Sequence, residues 1–146
     1  DILFIERCLK LLENHGRMGI VLPDGDLTNS TLEYVREFIK EKARIVAVVS
    51  LPYETFIPHG TGTKASIIFL QKLNEEELIE LKEKDYPNFM AICESIGYDI
   101  RGKTLFQKNG KGEFIFDEEG NLIIDSDIPE IIEGFVIFKR KYNLKF

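Results

Sequence analysis

Two short, β-branched apolar runs, Ile45–Val49 and Ser66–Leu70, bracket a loop holding Pro52, Pro58, Gly60 and Gly62. No other feature constrains the fold as strongly. Runs of this kind read as strands buried on both faces. The residues between them show no helical period. A parallel return needs a crossover of about a dozen residues or more, usually a helix. The second run is therefore expected to come back antiparallel to the first.

The preceding residues supply the rest of a sheet. Ile2, Ile5, Leu9 and Leu12 recur at helical spacing, with Phe4 and Leu11 widening the stripe and Gly16 placed as a helix end favours. Met18–Leu22 is a further apolar run, stopped by the turn-forming Pro23-Asp24-Gly25. Ser30-Thr31-Leu32-Glu33 has the form of a capping box, and Leu32, Val35, Phe38 and Ile39 give the next helix one apolar face. Strand–helix–strand at this spacing predicts a parallel pair, with the third strand inserted antiparallel.

Beyond Leu73 the signals are weaker. Asn74 and Glu77 form a second capping box ahead of a charged surface helix anchored by Leu73, Leu78 and Leu81. Phe89–Glu94 suits a strand. Thr104–Gln107, Glu113–Phe116 and Leu122–Ile124 are short β-type runs separated by Asn109-Gly110 and Glu119-Gly120-Asn121, which predicts a small hairpin unit. Asp127, Pro129 and Glu130 open a terminal helix whose Ile131, Ile132, Phe135, Ile137 and Phe138 leave it little polar surface.

The order of these pieces resembles the later half of the methyltransferase domain in type I restriction–modification M subunits, the DNA adenine-N6 methylases. The resembling residues are Gly16-Arg17-Met18-Gly19-Ile20-Val21-Leu22-Pro23 with Asp24-Gly25, then Leu51-Pro52, Phe56, Gly60-Thr61-Gly62-Thr63-Lys64 and the closing strand. Phe89-Met90-Ala91-Ile92, Ile96-Gly97-Tyr98-Asp99, Arg101-Gly102-Lys103 and Asp127-Ile128-Pro129-Glu130-Ile131 continue it. The resemblance implies an α/β fold: a partial Rossmann-like methyltransferase sheet, parallel strands with a final antiparallel one, and helices on its faces. Residues 1–73 would be the distal half of that domain. Residues 74–146 would form a small α+β extension of connector helix, hairpin unit and terminal helix.

It also implies a cofactor, S-adenosylmethionine, and partners: DNA and the specificity and restriction subunits. Enzymes of this family share a glycine-rich cofactor turn and an Asn-Pro-Pro-Phe/Tyr tetrapeptide that grips the target amino group. None of the five prolines here adjoins another, and no glycine-rich strand-to-helix turn is present. The chain thus reads as a piece without the catalytic half, whose catalytic residues are expected upstream of Asp1. No cofactor is expected to bind this piece, which should be inactive alone.

Ligands in open α/β sheets bind beyond the carboxyl ends of the parallel strands. Two loops qualify, Pro23–Asn29 and Pro52–Lys64. Asp24 is either an ordinary turn residue or a polar contact of a base-entry cleft. By resemblance, Phe56 lies in the loop that helps hold a flipped-out base, and Asp24, Tyr53, Phe56 and Lys64 would together wall that base. An enzyme acting on a base must extrude it and stack it on apolar or aromatic side chains. Phe56 folded back on the core is the competing expectation. Gly60-Thr61-Gly62-Thr63-Lys64 lacks the ending and the following helix of a phosphate loop.

The net charge of −6 argues against unaided DNA binding, because phosphate contacts require clustered Lys and Arg. Charge is uneven, however. Arg101, Lys103, Lys108 and Lys111 occur with no acid among them, either as a solvated surface or as a DNA-facing edge in an assembly. Cys8 and Cys93 are expected to be buried free thiols, His15 and His59 surface residues, and no metal site is expected. No apolar run reaches the ~20 residues of a membrane span and no signal-peptide pattern opens the chain, so the cytoplasm is expected. The alternatives are a non-catalytic scaffold that docks specificity and restriction subunits, and an unrelated small ligand-binding domain.

Overall fold

The computed structural model describes residues 2–145. Helix α1 (Ile2–Leu11) leads to β1 (Arg17–Pro23), a short α2 (Asp24–Thr28), α3 (Glu33–Lys42) and β2 (Ala43–Ser50). A 3-10 helix, Tyr53–His59, then precedes β3 (Ala65–Lys72), α4 (Glu75–Glu83), β4 (Phe89–Ile92) and α5 (Ile128–Lys141).

The four strands form one sheet in the order β1-β3-β2-β4. Strand β3 lies antiparallel to both neighbours, with Ile68 opposite Ile20 on one side and Val48 on the other. Strands β1 and β2 therefore run parallel to each other, as the spacing predicted. Strand β4 pairs parallel with the other side of β2, setting Ser50 opposite Ile92. A bulge between Ile45 and Ala47 places Val46 and Ala47 both in buried positions.

Period-two alternation sends Leu22, Ile68 and Leu70 to one face, where they meet Ile5 and Leu9 of α1 and Val35 and Ile39 of α3. Each such fully buried aliphatic contributes about 1.5–3 kcal/mol. The opposite face carries Gly19, Ala47, Val49, Ile67 and Phe69, over which α5 lays Ile131 and Phe135. Between this face and α5 lies an apolar groove of about 540 Å³. Burial on both faces thus holds for β2 but not for β1, where Val21 is 48% exposed. Strand β1 is a sheet edge among the described residues, and α5 reaches only part of that face.

Several local expectations need correction. Helix α1 stops at Leu11, and the left-handed residue after it is His15 (φ 64°), not Gly16. Gly16 answers a different need, since a Cβ there would lie 2.8 Å from the Glu13 carbonyl oxygen. Lys72 closes this corner by donating from Nζ to the Leu12 carbonyl at 2.7 Å. No loop spans residues 23–29, because β1 passes directly into α2 at Asp24. The Ser30 capping box does not form: Asn29 accepts from the Thr31 N–H and starts a 3-10 turn instead. The Asn74–Glu77 box does form, with both reciprocal bonds present.

In the second half, five antiparallel bridges join residues 96–126 into the expected hairpin unit. Its turns share one design. Asp99, Asn109 and Asp117 each accept, through Oδ1, from the backbone N–H groups two and four residues on. The glycine three residues on, Gly102, Gly112 or Gly120, takes positive φ. The Asn109-Gly110 signal therefore marks the right turn, but Gly112 supplies its left-handed residue. Asp127 precedes α5 without capping it, because its carboxylate accepts from the Glu94 and Ser95 N–H groups at 2.6 and 2.9 Å.

Candidate functional site

The carboxyl ends of β1 and β2 and the start of β3 meet at one rim of the sheet. Backbone bonds lock the three chains there: Asp24 N–H donates to the Lys64 carbonyl and Leu51 N–H to the Ala65 carbonyl, both at 3.0 Å. Asp24 Oδ1 accepts from the buried Ser66 hydroxyl at 2.7 Å. Lys64 Nζ donates to the Leu51 carbonyl at 3.3 Å. The carboxylate of Asp24 therefore ties β1 to β3, and it is a helix-start residue rather than a turn residue.

Across this rim runs the 3-10 helix Tyr53–His59, where no helical period is visible in the sequence. Thr55 fixes its start by donating from Oγ1 to the Pro52 carbonyl at 2.6 Å. At the other end the Gly60 N–H donates to the Ile57 carbonyl and the Thr61 N–H to the Phe56 carbonyl. The Tyr53 hydroxyl sits so close to Gly62 that a Cβ on residue 62 would lie 2.6 Å from it. Any other residue at position 62 would push Tyr53 away. Tyr53 is 52% exposed and Phe56 is half-buried.

The structure gathers Asp24, Tyr53, Phe56 and Lys64 at this rim. It also brings up the first turn of the hairpin unit, which carries Arg101 and Lys103. The Tyr98 hydroxyl donates to the Thr55 carbonyl at 2.8 Å, and a Cβ on Gly102 would touch the Pro58 ring at 3.5 Å. Lys108 and Lys111 belong to the next turn, Lys108 with its ammonium 5.1 Å from the Phe114 ring centroid. All four basic residues are exposed. The carboxyl of Asp99, at the base of the first turn, is held below the usual range by the N–H groups of Lys103 and Arg101.

Sequence reasoning assigned no role to Ser66, Thr55 or Tyr98, which fasten the rim together. The repeated Asp/Asn-x-x-Gly spacing at 99, 109 and 117 could have exposed the hairpin that delivers Tyr98.

Of the two cysteines expected to be buried, only Cys93 is. Cys8 is half-buried and Cys93 buried, both free, and His15 and His59 are exposed. Among the described residues no three His, Cys, Asp or Glu side chains gather as metal ligands. Among them, too, no helix is long and apolar enough to cross a membrane.

The methylase subunit of the type I restriction enzyme EcoEI of Escherichia coli is 30% identical over 97% of the chain, which spans 29% of that subunit's length. A chain from a solved type I restriction–modification complex, from work on its assembly and conformational transition, matches 97% of this chain at 22% identity. The match covers 24% of that chain with a TM-score of 0.48. A Listeria monocytogenes chain assigned to the class I S-adenosylmethionine-dependent methyltransferases matches 62% of this chain at 24% identity. It is covered over 26% of its length with a TM-score of 0.47. The N-6 DNA Methylase family itself matches residues 1–135, nearly the whole chain, and the chain belongs to that family.

Proposed function

We propose that this chain forms the base-side portion of a type I adenine-N6 DNA methyltransferase, with S-adenosylmethionine held by other residues. The observation that carries the proposal is the aromatic 3-10 helix Tyr53–His59 lying across the carboxyl ends of two parallel strands. That is the rim where open α/β sheets receive ligands. Phe56 is the ring on which an extruded adenine stacks, and Tyr53 and Asp24 border the same opening. Lys64 supports the rim through the Leu51 carbonyl. Arg101 and Lys103, on the adjoining turn, meet backbone phosphates, with Lys108 and Lys111 continuing that edge.

Residues 1–73 supply the sheet and the wall, and residues 74–146 the basic turns and the bracing helix. The enzyme would work in the cytoplasm.

The residues present do not fit the cofactor. At the β1–α2 junction Pro23 leads straight to Asp24, whose carboxylate sits at the helix start and is bound to Ser66. An adenosyl group would meet a single glycine there, Gly25 inside α2, and no glycine-rich strand-to-helix turn. The chain's own contribution is to hold DNA and base, and it is inactive alone.

Phe56→Ala tests the reading in an assembled methylase that contains this chain. Base–aromatic stacking is worth ~1–3 kcal/mol, so methylation of a normally paired target should slow roughly fivefold to a hundredfold. The deficit should shrink on a mispaired target, where extrusion costs less. Unchanged rates on both duplexes, or a large loss of melting temperature with normal turnover, would return Phe56 to the core.

One observation favours a second reading, that of a scaffold docking the specificity and restriction subunits. Ile132, which lines the α5 groove, and Ile137 on the same helix are each more than half exposed. Loss of subunit co-purification in an Ile132→Glu, Ile137→Glu variant, with its fold intact, would support it.

A further inference from the structure

The 3-10 helix that carries Phe56 has a gap in its own bonding. In such a helix each carbonyl pairs with the N–H three residues on. For Thr55 that residue is Pro58, which has no N–H to give. Thr55 is 6% exposed, and a buried carbonyl without a partner is costly. The donor comes from 43 residues away, as the Tyr98 hydroxyl reaches the Thr55 carbonyl at 2.8 Å. Tyr98 is fixed in turn by its bridge to Thr104 across the Asp99–Gly102 turn. That turn also abuts the Pro58 ring.

We propose that Tyr98 is a positioning residue for the aromatic wall: its hydroxyl substitutes for the N–H that Pro58 lacks and so sets where the Phe56 ring meets an extruded purine. The hairpin unit thereby becomes part of base selection. The inference deepens the base-wall reading of Phe56 and rests on it. A conventional N–H donor at position 58 would make the distant hydroxyl redundant. Proline makes the loop depend on the second half of the chain.

The test uses the assembled methylase with Tyr98→Phe, Phe56→Ala and the double variant. It measures single-turnover methylation rates on paired and mispaired targets, with melting temperature as the fold control. Tyr98→Phe keeps the ring and removes only the donor. Its rate on the paired target should fall roughly fivefold to tenfold, and the mispaired-to-paired ratio should rise. The double variant should be no worse than Phe56→Ala alone, because both changes act on one ring.

A raised ratio for Phe56→Ala with an unchanged ratio for Tyr98→Phe would overturn the positioning role and leave the base wall standing. Unchanged ratios for both would overturn both. A raised ratio for Tyr98→Phe alone would also sink the proposal, since Tyr98 would then act through something other than Phe56. A drop in melting temperature with an unchanged ratio makes Tyr98 merely structural. Should Tyr98→Phe fail to fold, Gly102→Ala carries the same test. It strains a left-handed position (φ 76°) in the turn that rests on Pro58 and should raise the ratio in the same direction. An unchanged ratio there overturns the proposal as well.

Discussion

Asp24 and Ser66 meet across 42 residues of sequence, the serine hydroxyl donating to the carboxylate at 2.7 Å. The two partners are not equivalent. Ser66 is 5% exposed, whereas Asp24 keeps partial access to water. Asp24→Ala leaves a buried hydroxyl without an acceptor, at a cost of about 1–3 kcal/mol. Ser66→Ala leaves a carboxylate that water can solvate, at roughly 0.5–1.5 kcal/mol. Chemical denaturation of both variants should therefore rank Asp24→Ala as the less stable. The reverse ranking would mean that the carboxylate is not the acceptor that matters.

Burial pushes the Cys93 thiol above its ordinary range, and the nearby Asp127 carboxylate adds to the effect. A thiol that resists ionisation is a poor nucleophile. In the native protein at pH 8, iodoacetamide should modify the half-buried Cys8 well before Cys93. Both should react at similar rates once the chain is unfolded. Faster native labelling of Cys93, located by peptide mapping, would contradict the burial argument.

Asp99 is held below the usual carboxylate range chiefly by the Lys103 N–H and then that of Arg101. Asp117 is held there by the backbone and side chain of Asn121. A lowered folded pKa stabilises the turn above the unfolded value of about 4 and loses that contribution as pH falls through the folded value. Asn109 occupies the same place in the middle turn and cannot titrate. On acidification below about pH 4, the amide resonances of Arg101, Lys103 and Asn121 should shift with midpoints below the ordinary aspartate value. That of Lys111 should show no such titration. Midpoints at or above the ordinary value would show that these N–H bonds do not favour the charged form.

The 146-residue chain by itself should neither bind S-adenosylmethionine measurably nor methylate DNA. Calorimetry checks the first and a tritiated-methyl assay the second. Micromolar cofactor binding would revive the reading of an independent small ligand-binding domain.

The sheet was legible because its strands are short, continuous apolar runs, and because the residues between Ser50 and Ala65 are too broken by proline and glycine to carry the helix of a parallel crossover. What escaped was chemistry decided between neighbours of similar strength. Asn29 and Ser30 are both good caps, and Asn29 takes the Thr31 N–H. The 3-10 helix at Tyr53 has only seven residues with a proline inside, too short for any period to register. The exposed face of β1 was unreadable for another reason, since an apolar run does not say how far its neighbours extend. The candidate site residues were chosen from the loops beyond the strand ends, but the Ser66 and Tyr98 hydroxyls that bond to Asp24 and Thr55 arrive through tertiary pairing.

Photo-crosslinking tests the base-wall reading most directly. A duplex with 5-iodouracil in place of the target adenine is irradiated in the assembled methylase, and the adduct is mapped by mass spectrometry. An extruded base stacked on the rim should crosslink within Tyr53–Lys64, with Phe56 as the main site and Phe56→Ala abolishing that adduct. Adducts from this chain confined to Arg101–Lys111, or unchanged in Phe56→Ala, would mean that the rim does not receive the base.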